Sequence, residues 1–105
     1  MRLFINKKVV KVEIADNFFK RLFGLMHKKN YDNALLLKNT TLIHTLGMKM
    51  NIDVLYLDEN YNLIKYALNI KPNKILASVQ GTKHIIELDS NLIINKNDYI
   101  NAIIK

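Results

Sequence analysis

Val10-Lys11-Val12-Glu13-Ile14 alternates apolar and polar side chains, the pattern of a strand with one buried face. Leu3-Phe4-Ile5 precedes it across Asn6-Lys7-Lys8, which predicts a hairpin. Ala34 to Leu37 reads as a short strand, and Leu42-Ile43 follows a polar stretch. Ile52 to Leu57 and Leu63 to Ile70 flank the turn Asp58-Glu59-Asn60 and predict a second hairpin, closed by Pro72, which cannot donate to a ladder. Lys74 to Val79 is a short strand or irregular. Gly81 marks a turn before a strand over His84 to Leu88, and two more strands are expected at Leu92 to Ile94 and Asp98 to Ile103. One helix is expected near residues 16–23. Asp16 suits its N-cap, Phe18, Phe19, Leu22 and Phe23 form its apolar stripe, and Gly24 suits the left-handed position that ends it. Strands at roughly ten-residue spacing predict a mainly β chain, a compact antiparallel sandwich or barrel with one short helix.

Composition narrows this picture. The 105 residues make one β-rich domain, 1–105, large enough to bury a core, and half of them are hydrophobic, which excludes a disordered chain. There is no cysteine, so disulfides, thiolate metal sites and cysteine nucleophiles are excluded. Apolar runs are too short to span a bilayer and the N-terminus does not read as a secretory signal, so no membrane partner and a cytoplasmic location are expected. The net charge of +7 invites a nucleic-acid reading. Against it, the only arginines are Arg2 and Arg21, and the lysines are scattered from Lys7 to Lys105. A well-solvated lysine surface is the simpler account.

The chemistry concentrates between His44 and Leu57. His44, Thr45, Gly47, Met48, Lys49 and Asp53 fall within ten positions, ahead of the β-prone run Val54-Leu55-Tyr56-Leu57. A carboxylate entering a buried strand needs partners. Asp53 is expected to accept amides of the Gly47-Met48-Lys49 turn, to orient His44, or both. Glu87 is expected to turn away from Ile86 and Leu88, towards solvent or as a second carboxylate near Asp53. Met48, Met50 and Met26 suit core packing or a soft apolar floor. His27, His44 and His84 lack the spacing of a local metal site, and neither a metal nor a cofactor is expected.

In order, Arg21-Leu22-Phe23-Gly24-Leu25-Met26, Leu35-Leu36-Leu37, His44-Thr45-Leu46-Gly47-Met48, Ile52-Asp53-Val54 and Glu87-Leu88 resemble the motifs of domain-of-unknown-function family 192, in its H-T-x-G-M branch. The resemblance covers roughly residues 10–100. It implies a jelly-roll-like β fold and no particular activity. Where the family usually carries a small-residue and glycine turn, this chain has Asp89-Ser90-Asn91, and Asn97-Asp98 replaces a glycine–aspartate pair near the end. Asparagine tolerates positive φ better than most residues.

The preferred functional reading is a small-ligand-binding module. A cleft beside the His44–Asp53 loop would take a small polar ligand through His44, Thr45, Met48, Lys49, Asp53 and Glu87. The alternatives are a small hydrolase-like enzyme with His44 as a base oriented by Asp53, and a weak charge-driven nucleic-acid binder.

Overall fold

The computed structural model describes residues 1–15, 17, 20, 24–26 and 28–105. Among the described residues nine strands form: β1 (Arg2–Ile5), β2 (Lys8–Ala15), β3 (Ala34–Leu37), β4 (Ile43–His44), β5 (Ile52–Leu57), β6 (Leu63–Ile70), β7 (Ile75–Leu76), β8 (His84–Asp89) and β9 (Ile103–Ile104). Seven make one sheet in the order β6-β5-β8-β3-β2-β1-β9, and β4 and β7 make a separate ribbon. The chain is mainly β, as the alternation predicts. Both hairpins form, with Leu3 opposite Val10 and Leu55 opposite Tyr66.

The burial pattern explains this order. β3, β5 and β8 are buried at every residue and occupy the interior of the sheet, where near-continuous apolar runs belong. β2 alternates and β6 is half exposed, as befits strands nearer the edges. Two apolar clusters sit on opposite faces. One joins Leu3, Ile5, Val12, Leu36, Leu55, Leu57, Ile86 and Leu88 with Tyr99. The other joins Leu25, Tyr31, Leu35, Leu37, Ile43, Met48, Met50, Ile52, Val54 and Ile85. A short 3-10 helix, Lys96–Asn101, packs against both β1 and β6, which stand five places apart in the sheet. Flat strands would hold those two about 24 Å apart at the usual spacing, so the sheet curls around the helix.

Three expectations are corrected. Leu92 to Ile94 forms no strand; Ile93 is buried and Ile94 is exposed in an irregular segment. Asp98 to Ile103 is mostly the 3-10 helix, because Asn95 accepts the Asn97 N–H (3.1 Å) and starts a turn in a run rich in turn-forming side chains. The pair β2/β3 is parallel, not antiparallel. A parallel pair needs a long crossover, which here is the stretch between Ala15 and Ala34. The predicted helix of residues 16–23 falls in that crossover and lies largely outside the described residues. At its margins the Asn17 side chain accepts the Lys20 N–H and the Gly24 N–H donates to the Lys20 carbonyl, each at 2.9 Å.

Asn6, Asn39, Asn69 and Asn73 take left-handed φ values between 51° and 65°, so asparagine supplies turns that glycine supplies elsewhere. Asn91 and Asn97 are not among these residues. Among the described residues no helix is long and apolar enough to cross a membrane.

Candidate functional site

Asp53 stands on β5 opposite Leu88 and is fully buried. Its Oδ1 accepts the Asn69 N–H (2.9 Å), beside the irregular register between Ile52 and Val54. Its Oδ2 accepts from Lys96 Nζ (2.6 Å) and from the Tyr99 hydroxyl (2.5 Å). Lys96 Nζ also donates to the Ser90 carbonyl. Tyr99 is fully buried, and burial together with the Asp53 carboxylate pushes its hydroxyl far above the ordinary tyrosine range. The cluster ties the C-terminal 3-10 helix to the inside of the curled sheet. Lys96 and Tyr99 lie 43 and 46 residues from Asp53, beyond the reach of any local pattern.

The loop from His44 to Met50 is organised by Thr45, not by Asp53. The buried Thr45 hydroxyl donates to the Lys71 carbonyl (2.7 Å) and accepts the Lys74 N–H (2.9 Å). Its backbone N–H donates to the Lys74 carbonyl, and its carbonyl accepts from Met48 and Asn73. Gly47, at φ 74°, donates its N–H to the Asn73 side chain (3.0 Å). His44 Nδ1 accepts the Leu46 N–H (3.2 Å). Met48 and Met50 are buried in the core, whereas Lys49 is exposed. Thr45→Val keeps the shape and removes the hydroxyl. It is expected to destabilise the fold by about 1–3 kcal/mol, read from urea unfolding, because the hydroxyl's two hydrogen bonds, to the Lys71 carbonyl and from the Lys74 amide, are lost together.

Glu87 lies on the other face of the sheet from Asp53. It pairs with Leu35 on one side and Val54 on the other, and both belong to the second apolar cluster. It is 1% exposed. The Leu25 N–H donates to its carboxyl, and among the described residues the Oε1 atom has no hydrogen-bond partner. Burial dominates, pushing the acid up to about 8, which favours the protonated form near neutral pH. Gly24 explains how the carboxyl fits. A Cβ there would lie 2.5 Å from Glu87 Oε1, and the residue has φ 50°. A larger residue would press on the end of the Glu87 side chain, and the left-handed backbone favours glycine there.

In front of the Gly24–Leu25 turn opens a cleft of about 190 Å³, lined by Glu13, Ile14, Lys20, Gly24, Leu25, Lys28, Tyr31 and Leu35. Lys28 Nζ stands 5.1 Å from the centre of the Tyr31 ring. The Asn33 side chain donates to Glu13 (2.9 Å) and, as the largest of several contributions, holds that carboxylate below its ordinary range. Burial raises the Tyr31 hydroxyl well above its ordinary value, with the Glu13 carboxylate adding to the effect.

The six residues expected to share a cleft are thus not brought together. Asp53 faces the inside of the curl, Glu87 faces the opposite side, and Thr45 is consumed by the 71–74 loop. Asp53 does not receive the amides of the 47–49 turn, and Glu87 is not a solvent-facing strand residue. The reason for Glu87 is that β8 is covered on both faces, so alternation moves a side chain from one core to another. His84, on a different strand from His44, accepts the Asn39 N–H (3.0 Å) and stacks on Tyr61 at 4.6 Å. Burial, with Lys38 and Lys83 adding to it, holds its imidazole below the ordinary histidine range. Among the described residues no group of three or more His, Asp or Glu is arranged to hold a metal.

Residues 1–97 match the profile of domain-of-unknown-function family 192, described as an uncharacterised ACR. A UPF0127 protein of Thermococcus sibiricus is 36% identical over 98 residues, covering 88% of this chain and 60% of that protein. The chain therefore spans less than two thirds of that relative's length. A crystal structure of a protein of unknown function from Novosphingobium aromaticivorans superposes with a TM-score of 0.72 at 16% identity, over 87% of this chain and 74% of that one. A crystal structure described as that of a putative transcription regulator from Sinorhizobium meliloti superposes with a TM-score of 0.74 at 20% identity, over 87% of this chain and 79% of that one. At these identities the two structures share the fold.

Proposed function

Since the chain belongs to domain-of-unknown-function family 192, whose description assigns no activity, we propose from geometry that it is a small-ligand-binding module. The binding site is the cleft in front of the Gly24–Leu25 turn. One observation carries this reading: the cleft is backed by the buried Glu87 carboxyl, which lies directly behind Gly24 and receives the Leu25 N–H. Ile14, Leu25 and Leu35 offer apolar surface, while Lys20, Lys28, Glu13 and Tyr31 offer polar groups around it. That combination, an apolar lining with a few polar groups, is the usual make-up of a ligand site. A cleft of about 190 Å³ is small beside sites for drug-sized molecules, which run from about 300 Å³ upward, so the ligand is a small metabolite. The two lysines favour one that carries an anionic group.

The hydrolase reading is not favoured. Both Asp53 oxygens are engaged by Asn69, Lys96 and Tyr99 on the inner side of the curl, so Asp53 is not placed to orient His44 as a base.

The reading is tested by titrating isotope-labelled protein with a panel of small carboxylates and phosphate esters while following amide shifts. Shifts clustering at Lys20, Gly24, Leu25, Lys28, Tyr31 and Leu35 are expected for at least one compound. Lys28→Glu should weaken that compound about tenfold, the effect of roughly one charge reversal at a partly exposed site, without lowering the melting temperature. Shifts that map elsewhere, or none across the panel, would reject the cleft.

A further inference from the structure

The β4–β7 ribbon presents a face that neither the core nor the cleft uses. Ile43 pairs with Leu76 and His44 with Ile75. Ile43 is buried in the second apolar cluster and Leu76 packs against it, so this pair faces inward. By alternation His44 and Ile75 face outward, with Leu42 on the same side of its strand. Ile75 is 70% exposed, Leu42 60% and Leu46 43%. The Thr45 hydroxyl and the Gly47 N–H hold the two loops of the ribbon together, so these side chains are carried on a braced platform.

The two segments that build the ribbon carry charge of one sign, with Asp58 acting on His84 at the end of the second. Residues 38–51 and 71–84 contain Lys38, Lys49, Lys71, Lys74 and Lys83 and no aspartate or glutamate, although the chain has nine acidic residues elsewhere. Exposed aliphatic side chains within a field of ammonium groups complement a surface that is anionic outside and apolar beneath. We propose that the β4–β7 ribbon docks this protein peripherally on an anionic lipid surface, with Leu42, Leu46 and Ile75 entering the headgroup layer.

Two features favour lipid over an acidic macromolecule. The two segments hold neither arginine for bidentate phosphate recognition nor any phenylalanine, tyrosine or tryptophan for stacking on bases, and the His84 ring is already stacked on Tyr61. Leu42, Leu46 and Ile75 also line none of the clefts described over residues 13–35, 30–92 and 5–98. Juxtaposed lysines are drawn to the negative potential of anionic lipid, and short apolar insertions add to that attraction. Such contact requires no membrane span.

The test is flotation with vesicles of phosphatidylcholine containing about 30% phosphatidylglycerol, an anionic lipid content chosen to give a substantial surface potential. The protein is expected to float with these vesicles at about 50 mM salt, to be released at least tenfold at about 500 mM, and to ignore pure phosphatidylcholine. Ile75→Asp and Leu42→Gln, at exposed positions, should each weaken binding several-fold while the melting temperature stays unchanged. Should Ile75→Asp lower it, the pair Lys71→Glu and Lys74→Glu repeats the test from the charge side, using side chains that the core does not use. Failure to float at low salt overturns the proposal. So does binding that none of these substitutions weakens, or binding to polyglutamate or duplex DNA in the absence of any binding to vesicles.

Discussion

Asp53→Ala is expected to destabilise the protein by about 2–4 kcal/mol, the largest effect of any single truncation discussed for this chain. Removing the carboxylate strips the Tyr99 hydroxyl and the Asn69 amide of their acceptor and leaves Lys96 with the Ser90 carbonyl alone. Breaking a fully buried ion pair costs about 3–5 kcal/mol. The range here is set lower because the Lys96 side chain keeps 21% of its exposure and can turn its ammonium towards water. Urea unfolding measures the loss. A double-mutant cycle adds a sharper criterion, since Lys96→Met in the Asp53→Ala background should restore part of the stability by removing the unpaired charge. A loss below about 1 kcal/mol would show that the cluster is not what docks the C-terminal helix, because even a typical single hydrogen bond contributes that much.

The second large effect is a pH dependence centred on Glu87. Its folded-state value lies at about 8, above the ordinary 4.5, because burial disfavours the charged form. Between those two values the folded protein keeps a proton that the unfolded chain has released. The contribution of Glu87 to stability is therefore fully present below about pH 4.5, declines as pH rises, and levels off once the folded-state value of about 8 is passed. Each pH unit in that window weakens the fold by at most about 1.4 kcal/mol through this one group, so the whole span is worth a few kcal/mol. Glu87→Gln keeps an acceptor for the Leu25 N–H and cannot ionise. The stability of Glu87→Gln relative to the parent should therefore climb steadily from pH 5 to pH 8 or 9. Taking the difference cancels the titration of other groups. A difference that stays flat across this range would mean that Glu87 is not held neutral. The same measurement bears on the cleft, since ionised Glu87 has to move away from the Gly24 backbone towards water.

Strand placement was largely legible along the chain, and the reason is local. Val10 to Ile14 alternates because β2 has one face in the core, and Ile52 to Leu57 is continuously apolar apart from Asp53 because β5 is covered on both sides. The two hairpins follow from turns of a few residues. The tail was misread for an equally local reason: Leu92, Ile93 and Ile94 have strand-forming side chains but no strand beside them to pair with. The tail's fold is decided instead by Tyr99 reaching Asp53 and by Asn95 capping the 3-10 helix.

The importance of particular side chains was legible, but their roles were not. Asp53, Glu87, Thr45 and Gly24 can all be singled out from residue type and position, and each proves to be held by specific tertiary contacts. A carboxylate in an apolar strand announces that it needs partners and says nothing of which face it occupies. That depends on how many layers cover the strand. β8 is covered on both faces, so Glu87 enters a second core and cannot meet Asp53, its expected companion, across the sheet.

Hydrophobic periodicity and the ordered motifs are properties of neighbouring residues, and they suffice for a mainly β domain of family 192 with a polar loop ahead of the buried strand β5. Everything that depends on pairing residues tens of positions apart needed the folded chain. The parallel β2/β3 pair, the Lys96–Asp53–Tyr99 cluster and the seat of Glu87 behind Gly24 are of this kind. Each is set by where the curl of the sheet carries two distant segments, a quantity that no local period encodes.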